Sequence, residues 1–241
     1  MFYGCYCRFD SFSNKKDNLK KHILEVDGIQ ISYNGKLLLS DVYLKCETNE
    51  IIGLLGRNGS GKSTLLKIIF GLVSSPNKCI RIDGISKNNK NMFSEIGYLH
   101  QDQFIPNHFS VKKVISLSID KKEMKDFCAD KMIESIFEKR IKCLSSGELR
   151  YLEIKIVLFN SSKFVLLDEP YNGLAPLMID IVNEMILSNS DKKGVIITDH
   201  NYENVLKISN HLVLIKDGKT HHLKEKKELV EKGYLLNSTF L

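Results

Sequence analysis

The sequence predicts an α/β fold with a mostly parallel sheet, an antiparallel β part near its N-terminus and a separate helical part. Short, almost continuously apolar runs, such as Lys163–Asp168 and Gly194–Thr198, are typical of parallel strands that are buried on both faces. Segments with apolar residues at helical spacing alternate with these runs. With 241 residues, of which 43% are hydrophobic, the chain can form one domain with a sizeable core.

The N-terminal β part is predicted from an alternating pattern and a turn. Ile23–Tyr33 alternates apolar and polar residues, which is the periodicity of a strand. Asn34-Gly35 is a strong hairpin signal, and Lys36–Glu47 follows as a second strand-rich segment. Residues 1–21, which precede this hairpin, are polar and are predicted to be a loosely ordered lead-in.

A glycine-rich stretch follows the next strand and predicts a phosphate-binding loop. The apolar run Ile51–Leu55 reads as a buried strand, and Leu65–Phe70 reads as the body of a helix. A strand, then G-x-x-x-x-G-K-S, then a helix lets backbone N–H groups and the helix N-terminus surround a phosphate chain. Lys62 can reach the β- and γ-phosphates, and the Ser63 hydroxyl can bind Mg²⁺. The predicted nucleotide-binding residues of the loop are Gly56, Arg57, Asn58, Gly59, Ser60, Gly61, Lys62, Ser63 and Thr64.

The middle of the chain changes from strand to helix periodicity. Cys79–Ile82 and Ile96–Leu99 read as strands, and the second leads to Gln101. Between Ser110 and Arg140 the apolar residues follow helical spacing, with Ser110 as an N-cap. We predict a helical subdomain over about residues 103–150, inserted between two halves of the α/β core.

The second half of the core is predicted to alternate helices and strands. Ser145 and Glu148 have the spacing of a capping box at the start of a helix. The following predicted elements are a helix over Pro176–Leu187, a helix over Asn201–Ile208, a strand over His211–Ile215 and a charged helix from Lys224 to about Gly233. One domain over residues 22–235 and a tail over 236–241 complete the predicted organisation.

Four polar side chains close to predicted strand ends are candidates for phosphate chemistry. Asp168 can bind Mg²⁺, and the Glu169 carboxylate can accept a proton from an attacking water. Gln101 can orient that water or contact Mg²⁺, and His200 can donate a hydrogen bond to the γ-phosphate. With Lys62, these residues predict in-line attack of water on the γ-phosphorus of a bound nucleotide.

These motifs, in this order, resemble the ATP-binding cassette of ABC transporters over about Ile23 to Leu235. The resemblance rests on the phosphate loop, Gln101, Leu144–Glu148, Phe164–Glu169 and His200. It implies that Tyr33 stacks on adenine, that Glu169 is the catalytic base and that His200 is the switch histidine. It also implies a signature motif that contacts ATP on a second subunit, formed by Leu144, Ser145, Ser146, Gly147 and Glu148. The run Ile197–Asn201 is most similar to cassettes of lipopolysaccharide-export and branched-chain amino-acid transporters.

Two positions depart from the family pattern. Ser146 stands where the signature usually has its first glycine, and a small residue is expected to be tolerated there. Ala175 stands where the family usually has an aspartate before the proline, a residue that couples the two nucleotide sites. We expect hydrolysis to survive, since Glu169 and His200 are both present.

The composition limits the classes of partner. The net charge of +6 comes from 35 Lys plus Arg against 29 Asp plus Glu, and it is too evenly spread to predict a nucleic-acid-binding surface. The six cysteines lack the paired C-x-x-C spacing of a zinc site. No apolar run reaches the roughly 20 residues that span a bilayer.

The resemblance therefore implies a cytoplasmic ATPase with ATP and Mg²⁺ as cofactors, a second cassette (most simply a homodimer) and an integral membrane transporter subunit that holds it at the membrane. Two alternatives stay open at this stage. One is a cassette that works with a non-membrane partner, as in iron–sulfur cluster assembly. The other is an ATP-sensing module with weak or no hydrolysis, which Ala175 slightly favours.

Overall fold

A computed structural model describes residues 21–87 and 92–235 of the chain. The predicted lead-in, apart from Lys21, and the predicted tail over 236–241 lie outside the described residues. Within the described ranges the structure is a mixed α/β fold with one large sheet, so the predicted fold class is confirmed.

The sheet has ten described strands, half of which belong to its antiparallel part. The strands are β1 (Ile23–Tyr33), β2 (Lys36–Glu47), β3 (Ile51–Leu55), β4 (Asn77–Ile82), β5 (Ile85–Ser86), β6 (Ile96–Leu99), β7 (Phe164–Asp168), β8 (Gly194–Thr198), β9 (His211–Lys216) and β10 (Lys219–Leu223). Their order across the sheet is β5-β4-β1-β2-β10-β9-β3-β8-β7-β6. The five strands from β9 to β6 in this order are parallel to one another.

Eight α-helices and a short 3₁₀ helix (Ile141–Cys143) lie within the described residues. The α-helices are α1 (Lys62–Phe70), α2 (Val111–Ser118), α3 (Met124–Cys128), α4 (Lys131–Ile136), α5 (Ser146–Phe159), α6 (Pro176–Ser190), α7 (Tyr202–Ile208) and α8 (Glu228–Glu231). None of these helices is long and apolar enough to cross a membrane. The three short helices α2 to α4 lie in the segment for which the sequence predicts helical spacing, and Ser110 caps α2 by accepting a hydrogen bond from Lys113 N.

The parallel strands are apolar on both faces because one face packs against helices and the other against α1 and the antiparallel part of the sheet. In β7, Val165 and Leu167 pack in one hydrophobic cluster with residues of α5, α6 and α7. Phe164 and Leu166 point the other way and pack in a second cluster with α1 and the antiparallel part. All four side chains are 0% exposed, which explains the continuous apolar run in the sequence.

The antiparallel part begins with the predicted hairpin. Asn34 and Gly35 have φ values of 50° and 75°, so both turn residues adopt the left-handed conformation that a tight hairpin turn requires. At the other side of this part, β2 joins β10 through a single backbone pair. The Thr220 hydroxyl supplements that pair by bonding to both the backbone N and O of Tyr43, at 2.9 Å each.

In the C-terminal segment the structure adds one strand that was not expected, and the helix prediction is wrong. The sequence pattern does not predict the strand β10, because Lys219–Leu223 is mostly polar and is held in the sheet by its pairing with β9 on one side and β2 on the other. Of the segment from Lys224 to Gly233 that was predicted to be helical, only the four residues of α8 form a helix. Glu228 Oε1 accepts hydrogen bonds from the backbone N of Lys224 and Glu225, so the segment before α8 forms a turn.

The fold brings four strand ends together at one edge of the sheet. The carboxyl ends of β3, β6, β7 and β8 point in the same direction because these strands are parallel. Gly56 directly follows β3 and Glu169 directly follows β7, while Gln101 and His200 each come two residues after β6 and β8. Ligands of open α/β sheets bind outside such carboxyl ends, so this edge is the candidate site.

Candidate active site

The phosphate loop turns sharply from β3 into α1. Gly61 has a φ of 103°, and a Cβ at this position would lie 2.9 Å from Leu39 Cδ2, so both the backbone conformation and the space favour glycine. α1 begins at the next residue, and its N-terminal N–H groups point toward the loop. These unpaired donors and the partial positive charge of the helix form a ready site for an anion.

Lys62 lies against the loop that precedes it. Its Nζ donates hydrogen bonds to the carbonyl oxygens of Gly56, at 2.8 Å, and Arg57, at 3.3 Å. Burial lowers the pKa of the ammonium group, and the neighbouring carboxylates partly oppose this effect. The side chain is therefore a partly desolvated cation beside the loop, which strengthens its interaction with a phosphate.

Asp168 is fully buried at the end of β7 and is the centre of a hydroxyl cluster. Its Oδ1 accepts hydrogen bonds from Ser63 Oγ at 2.9 Å and from Thr198 Oγ1 at 3.0 Å. Its Oδ2 accepts one from the Tyr98 hydroxyl at 3.0 Å. Burial and the Asp168 charge raise the pKa of Tyr98, so the phenol stays a proton donor. The cluster fixes Asp168 beside the Ser63 side chain.

Glu169 adopts a strained backbone conformation and contacts two other predicted site residues. Its φ is 50°, which is uncommon for a residue with a side chain and costs on the order of 1–3 kcal/mol. Its Oε2 accepts a hydrogen bond from Gln101 Nε2 at 2.7 Å, and its Oε1 lies 3.2 Å from His200 Nδ1. The structure thus brings together Glu169, Gln101 and His200, which are far apart in the sequence.

These residues share one open cavity of about 530 Å³ with the phosphate loop. Its walls are formed by Tyr33, Leu38, Asn58, Gly59, Gly61, Lys62, Ser63, Thr64, Gln101, Glu169 and His200. Tyr33 is 51% exposed at the end of β1, so its ring is available to a flat ligand group. Most of the predicted site residues therefore line a single space.

The other predicted residues lie outside this space. The Arg57 guanidinium donates to the carbonyl oxygen of Gly233 at 3.2 Å, and Arg57 lines an adjoining cleft of about 540 Å³ that shares Asn58 and Gly59 with the cavity. Gly56 and Ser60 belong to the loop but do not line the cavity. Asp168 lies behind Ser63, with which it is hydrogen-bonded.

The predicted signature motif is also placed away from the cavity. It forms the N-terminus of α5, where Ser145 Oγ accepts from Glu148 N at 3.2 Å and Glu148 Oε2 accepts from Ser145 N at 2.7 Å. The predicted capping box is thus present. Ser145 and Ser146 are exposed, and the helix N-terminus carries unpaired N–H groups. No residue of Leu144–Glu148 lines the cavity of its own chain.

Ala175 precedes α6 in the position of an N-cap. Its φ of −71° and ψ of 153° are those of a capping residue, but it supplies no side-chain hydrogen bond. We expect Ala175→Asp to raise the free energy of unfolding by about 1 kcal/mol, because the carboxylate would accept from a free helix N–H and face the helix dipole. Urea unfolding measures this change. Ala175→Val, which has no acceptor, is the control, and an equal effect of both variants would contradict the capping explanation.

Sequence reasoning missed several residues that contact the site: Leu38 lines the cavity, Thr198 bonds to Asp168, and Tyr98 and Arg150 hold the polar residues in place. Tyr98 lies within an apolar strand, where a tyrosine usually means core packing. Arg150 is buried on α5 and donates to backbone carbonyl groups next to Glu169. The signal for Arg150 was weak, because an arginine with Glu153 three residues later reads as an ordinary ion pair within one helix.

Comparison with known proteins identifies relatives of this chain. A family model described as "ABC transporter" matches residues 39–172. The lipopolysaccharide export system ATP-binding protein LptB of Haemophilus influenzae is 32% identical over 212 residues, which cover 82% of this chain and 88% of that protein. LptB of Escherichia coli K12 is 32% identical over 202 residues, covering 78% of this chain and 84% of the relative.

Solved structures show the same fold at low sequence identity. The structure of an ATP binding subunit of an ABC transporter superposes with a TM-score of 0.77 at 20% identity, over 88% of this chain and 94% of that chain. A bacterial Atm1-family ABC exporter with ATP bound gives the same TM-score at 16% identity, over 89% of this chain and 41% of the exporter chain. The family binds and hydrolyses ATP. The chain described here belongs to the ABC transporter family, as a nucleotide-binding ATPase subunit.

Proposed function

We propose that this ATPase subunit dimerises around ATP and powers a separate membrane-spanning transporter from the cytoplasmic face of the membrane. The observation that carries the proposal is the division of the site. The phosphate loop, Glu169 and His200 line one cavity, whereas the signature motif lies outside it on an exposed helix N-terminus. A second copy that presents its signature motif to this cavity would complete the site.

The phosphate chain of ATP would lie on the loop and the N-terminus of α1. The Lys62 ammonium would exchange its bonds with Gly56 and Arg57 for the β- and γ-phosphates, and Tyr33 would stack on the adenine. Stacking on an exposed ring adds apolar contact without requiring a change in the sheet. Arg57 would take part through its backbone, because its side chain contacts Gly233.

The residues around Ser63 fit a magnesium ion. Mg²⁺ prefers oxygen ligands; Ser63 and Gln101 both line the cavity, and the Asp168 carboxylate lies behind Ser63, with which it is hydrogen-bonded. Ser63 and Gln101 would hold the ion directly, and Asp168 would hold its water. When bound, the ion supplies charge neutralisation between the β- and γ-phosphates.

Glu169 is the proposed general base. Its carboxylate accepts from Gln101 on one oxygen and lies beside His200 on the other, so it is oriented by two side chains that reach the same cavity. A carboxylate held in this way can take the proton of a water aligned with the γ-phosphorus. His200 would donate to the γ-phosphate, and Lys62 and the loop N–H groups would stabilise the charge that develops there.

The dimer is tested with the variant Glu169→Gln, which should bind ATP but not turn it over. With ATP and Mg²⁺, light scattering after size exclusion is expected to show twice the monomer mass, and without nucleotide a monomer. Adding Gly147→Asp to this variant places a negative charge at the signature motif and should abolish the ATP-dependent dimer. A monomer under every condition would contradict the proposal.

The membrane partner is supported by exposed residues next to the site. Gln101, Asp102, Gln103 and Phe104 are all exposed, and Phe104 presents 45% of its surface although it is aromatic. A partner that covers this segment would act directly on Gln101.

Purification of the tagged chain from detergent-solubilised membranes is expected to recover an integral membrane protein with it. The Phe104→Asp variant is expected to lose this membrane protein. Recovery of only non-membrane proteins would favour the alternative in which the cassette works with a non-membrane partner.

A further inference from the structure

We propose that Arg150 is a positioning residue for ATP hydrolysis: its single guanidinium holds the backbone on both sides of Glu169 and directly before Gln101. This inference rests on the proposed role of Glu169 as the general base. Arg150 lies on α5, six residues after the start of the signature motif, and only 5% of its surface is exposed.

The contacts of Arg150 are concentrated on one short segment. Its Nη2 donates to the carbonyl oxygen of Asp168 at 3.1 Å and to that of Glu169 at 2.8 Å. Its Nε donates to the carbonyl oxygen of Pro170 at 3.2 Å. The first two carbonyls belong to the two peptide planes that flank the Glu169 Cα. Because these planes define φ and ψ of Glu169, the guanidinium helps to hold the left-handed conformation of this residue, together with the backbone bonds from Glu169 N to Thr198 O at 2.9 Å and from Asn172 N to Glu169 O at 3.3 Å.

The same side chain reaches the loop that carries Gln101. Arg150 Nη1 donates to the carbonyl oxygen of His100 at 2.8 Å, in the peptide group directly before Gln101. Both partners of the 2.7 Å hydrogen bond between Gln101 and Glu169 are therefore attached to one rigid planar group. A shift of α5 would move both partners together.

Glu153 completes the arrangement on the next turn of α5. It is 0% exposed, and its Oε2 lies 3.4 Å from Arg150 Nη1. Its Oε1 accepts from Phe104 N at 2.9 Å, so the pair also holds the exposed segment after Gln101. A buried cation is stable here because a carboxylate and four carbonyl oxygens surround it. Arg150 and Glu153 thus connect the signature helix, the Gln101 loop and Glu169.

The first test compares Arg150→Lys with the wild-type chain in steady-state ATP hydrolysis. Lysine keeps the charge but has one nitrogen, which cannot reach carbonyls on both sides of Glu169 and on the Gln101 loop. We expect kcat to fall about 10- to 100-fold, as displacement of a catalytic group can cause. KM for ATP should stay within about 3-fold, because the phosphate loop does not contact Arg150. An unchanged kcat would overturn the inference.

The matched control is Lys155→Met, which removes another buried cation from the same helix. Lys155 pairs with Asp130 and lies 5.1 Å from the centre of the Phe127 ring, within the helical part of the structure. We expect this variant to lower stability but to leave kcat of the folded fraction within about 3-fold. A loss of kcat equal to that of Arg150→Lys would mean that any disturbance of α5 has the same effect, and would overturn the inference.

A double-mutant cycle with Glu169→Gln tests whether Arg150 acts through Glu169. Single-turnover measurements over hours give the residual rate of Glu169→Gln with and without Arg150→Lys. We expect the second change to lower this residual rate less than 3-fold, although it lowers the wild-type rate at least 10-fold. Equal factors in both backgrounds would show that Arg150 acts elsewhere.

Two further results distinguish a failure of the proposed role of Glu169 from a failure of the inference about Arg150. If the wild-type chain hydrolyses ATP no faster than Glu169→Gln, the proposed role of Glu169 fails, and the inference fails with it. If Glu169→Gln is slow but Arg150→Lys hydrolyses ATP at the wild-type rate, only the inference fails.

Where Arg150→Lys does not fold, Glu153→Gln replaces it, because the amide still accepts from Phe104 N but no longer pairs with the guanidinium charge. A kcat at least 3-fold lower at unchanged KM supports the inference, and an unchanged kcat overturns it.

Discussion

Replacing Glu169 by glutamine is expected to lower kcat for ATP hydrolysis by about 100- to 1000-fold while the affinity for ATP stays within about 3-fold. The amide has the size of the carboxylate but cannot take a proton from water. The oxygen of the new side chain can still accept from Gln101, so the cavity should keep its shape. Phosphate release under saturating ATP measures kcat, and titration with a fluorescent ATP analogue measures affinity.

Glu203→Gln is the control for this experiment. Glu203 is an exposed acid in the first turn of α7 and does not line the cavity, so its replacement removes the same charge without touching the site. Its kcat should equal that of the wild-type chain. If Glu169→Gln keeps more than a third of the wild-type rate, another group accepts the proton and the assignment of the base is wrong.

Replacing Lys62 by alanine is expected to weaken ATP binding by about 100-fold. A hydrogen bond to a charged group contributes about 1.5–3 kcal/mol, and the ammonium lies in a partly desolvated position beside the loop. The change also removes the Lys62 donor from the carbonyl oxygen of Gly56, whereas that of Arg57 still accepts from Ser60 N at 3.1 Å. Equilibrium binding of ATP with Mg²⁺, measured by calorimetry, gives the dissociation constant directly.

Lys67→Ala provides the comparison for Lys62→Ala. Lys67 lies in the last turn of α1, carries the same charge and does not line the cavity. Its removal should leave the dissociation constant within about 2-fold, since a screened charge outside the site contributes little. Equal affinities of the Lys62→Ala and wild-type chains would mean that the triphosphate does not lie on this loop.

The sequence was sufficient for elements whose signals are local. The hairpin at Asn34-Gly35, the strand before the phosphate loop and the capping box at Ser145 each depend on a few adjacent residues. The burial pattern of β7 also follows from its own composition. Such features could be predicted because the physical cause and its effect lie in the same short stretch.

Features that depend on distant residues could not be predicted in this way. β10 is polar and becomes a strand only because β9 and β2 offer backbone partners on its two sides. The Tyr98 hydroxyl looks like ordinary core packing until Asp168 is placed 3.0 Å away by the pairing of β6 with β7. Arg150 is the clearest case, since its partners come from two separate loops.

The candidate site likewise combines features that depend on adjacent residues with features that depend on distant ones. The sequence indicated that Gln101, Glu169 and His200 follow strands, and the parallel order of β6, β7 and β8 then places them at one edge. The direction of the Arg57 side chain, away from the cavity and toward Gly233, depends on the C-terminal segment and has no signal in the loop itself. The left-handed backbone of Glu169 likewise depends on its surroundings rather than on its residue type.

The proposal that the hydrolytic site is shared between two copies is tested most directly by mixing two inactive variants. Lys62→Ala lacks the phosphate-loop cation but keeps the signature motif, and Gly147→Asp has the opposite defect. In an equimolar mixture about half of the dimers contain one of each, and each of these has one of its two sites intact. The ATPase rate is therefore predicted to recover to about a quarter of the wild-type rate. A mixture no more active than the two variants measured separately would contradict a site built from both chains.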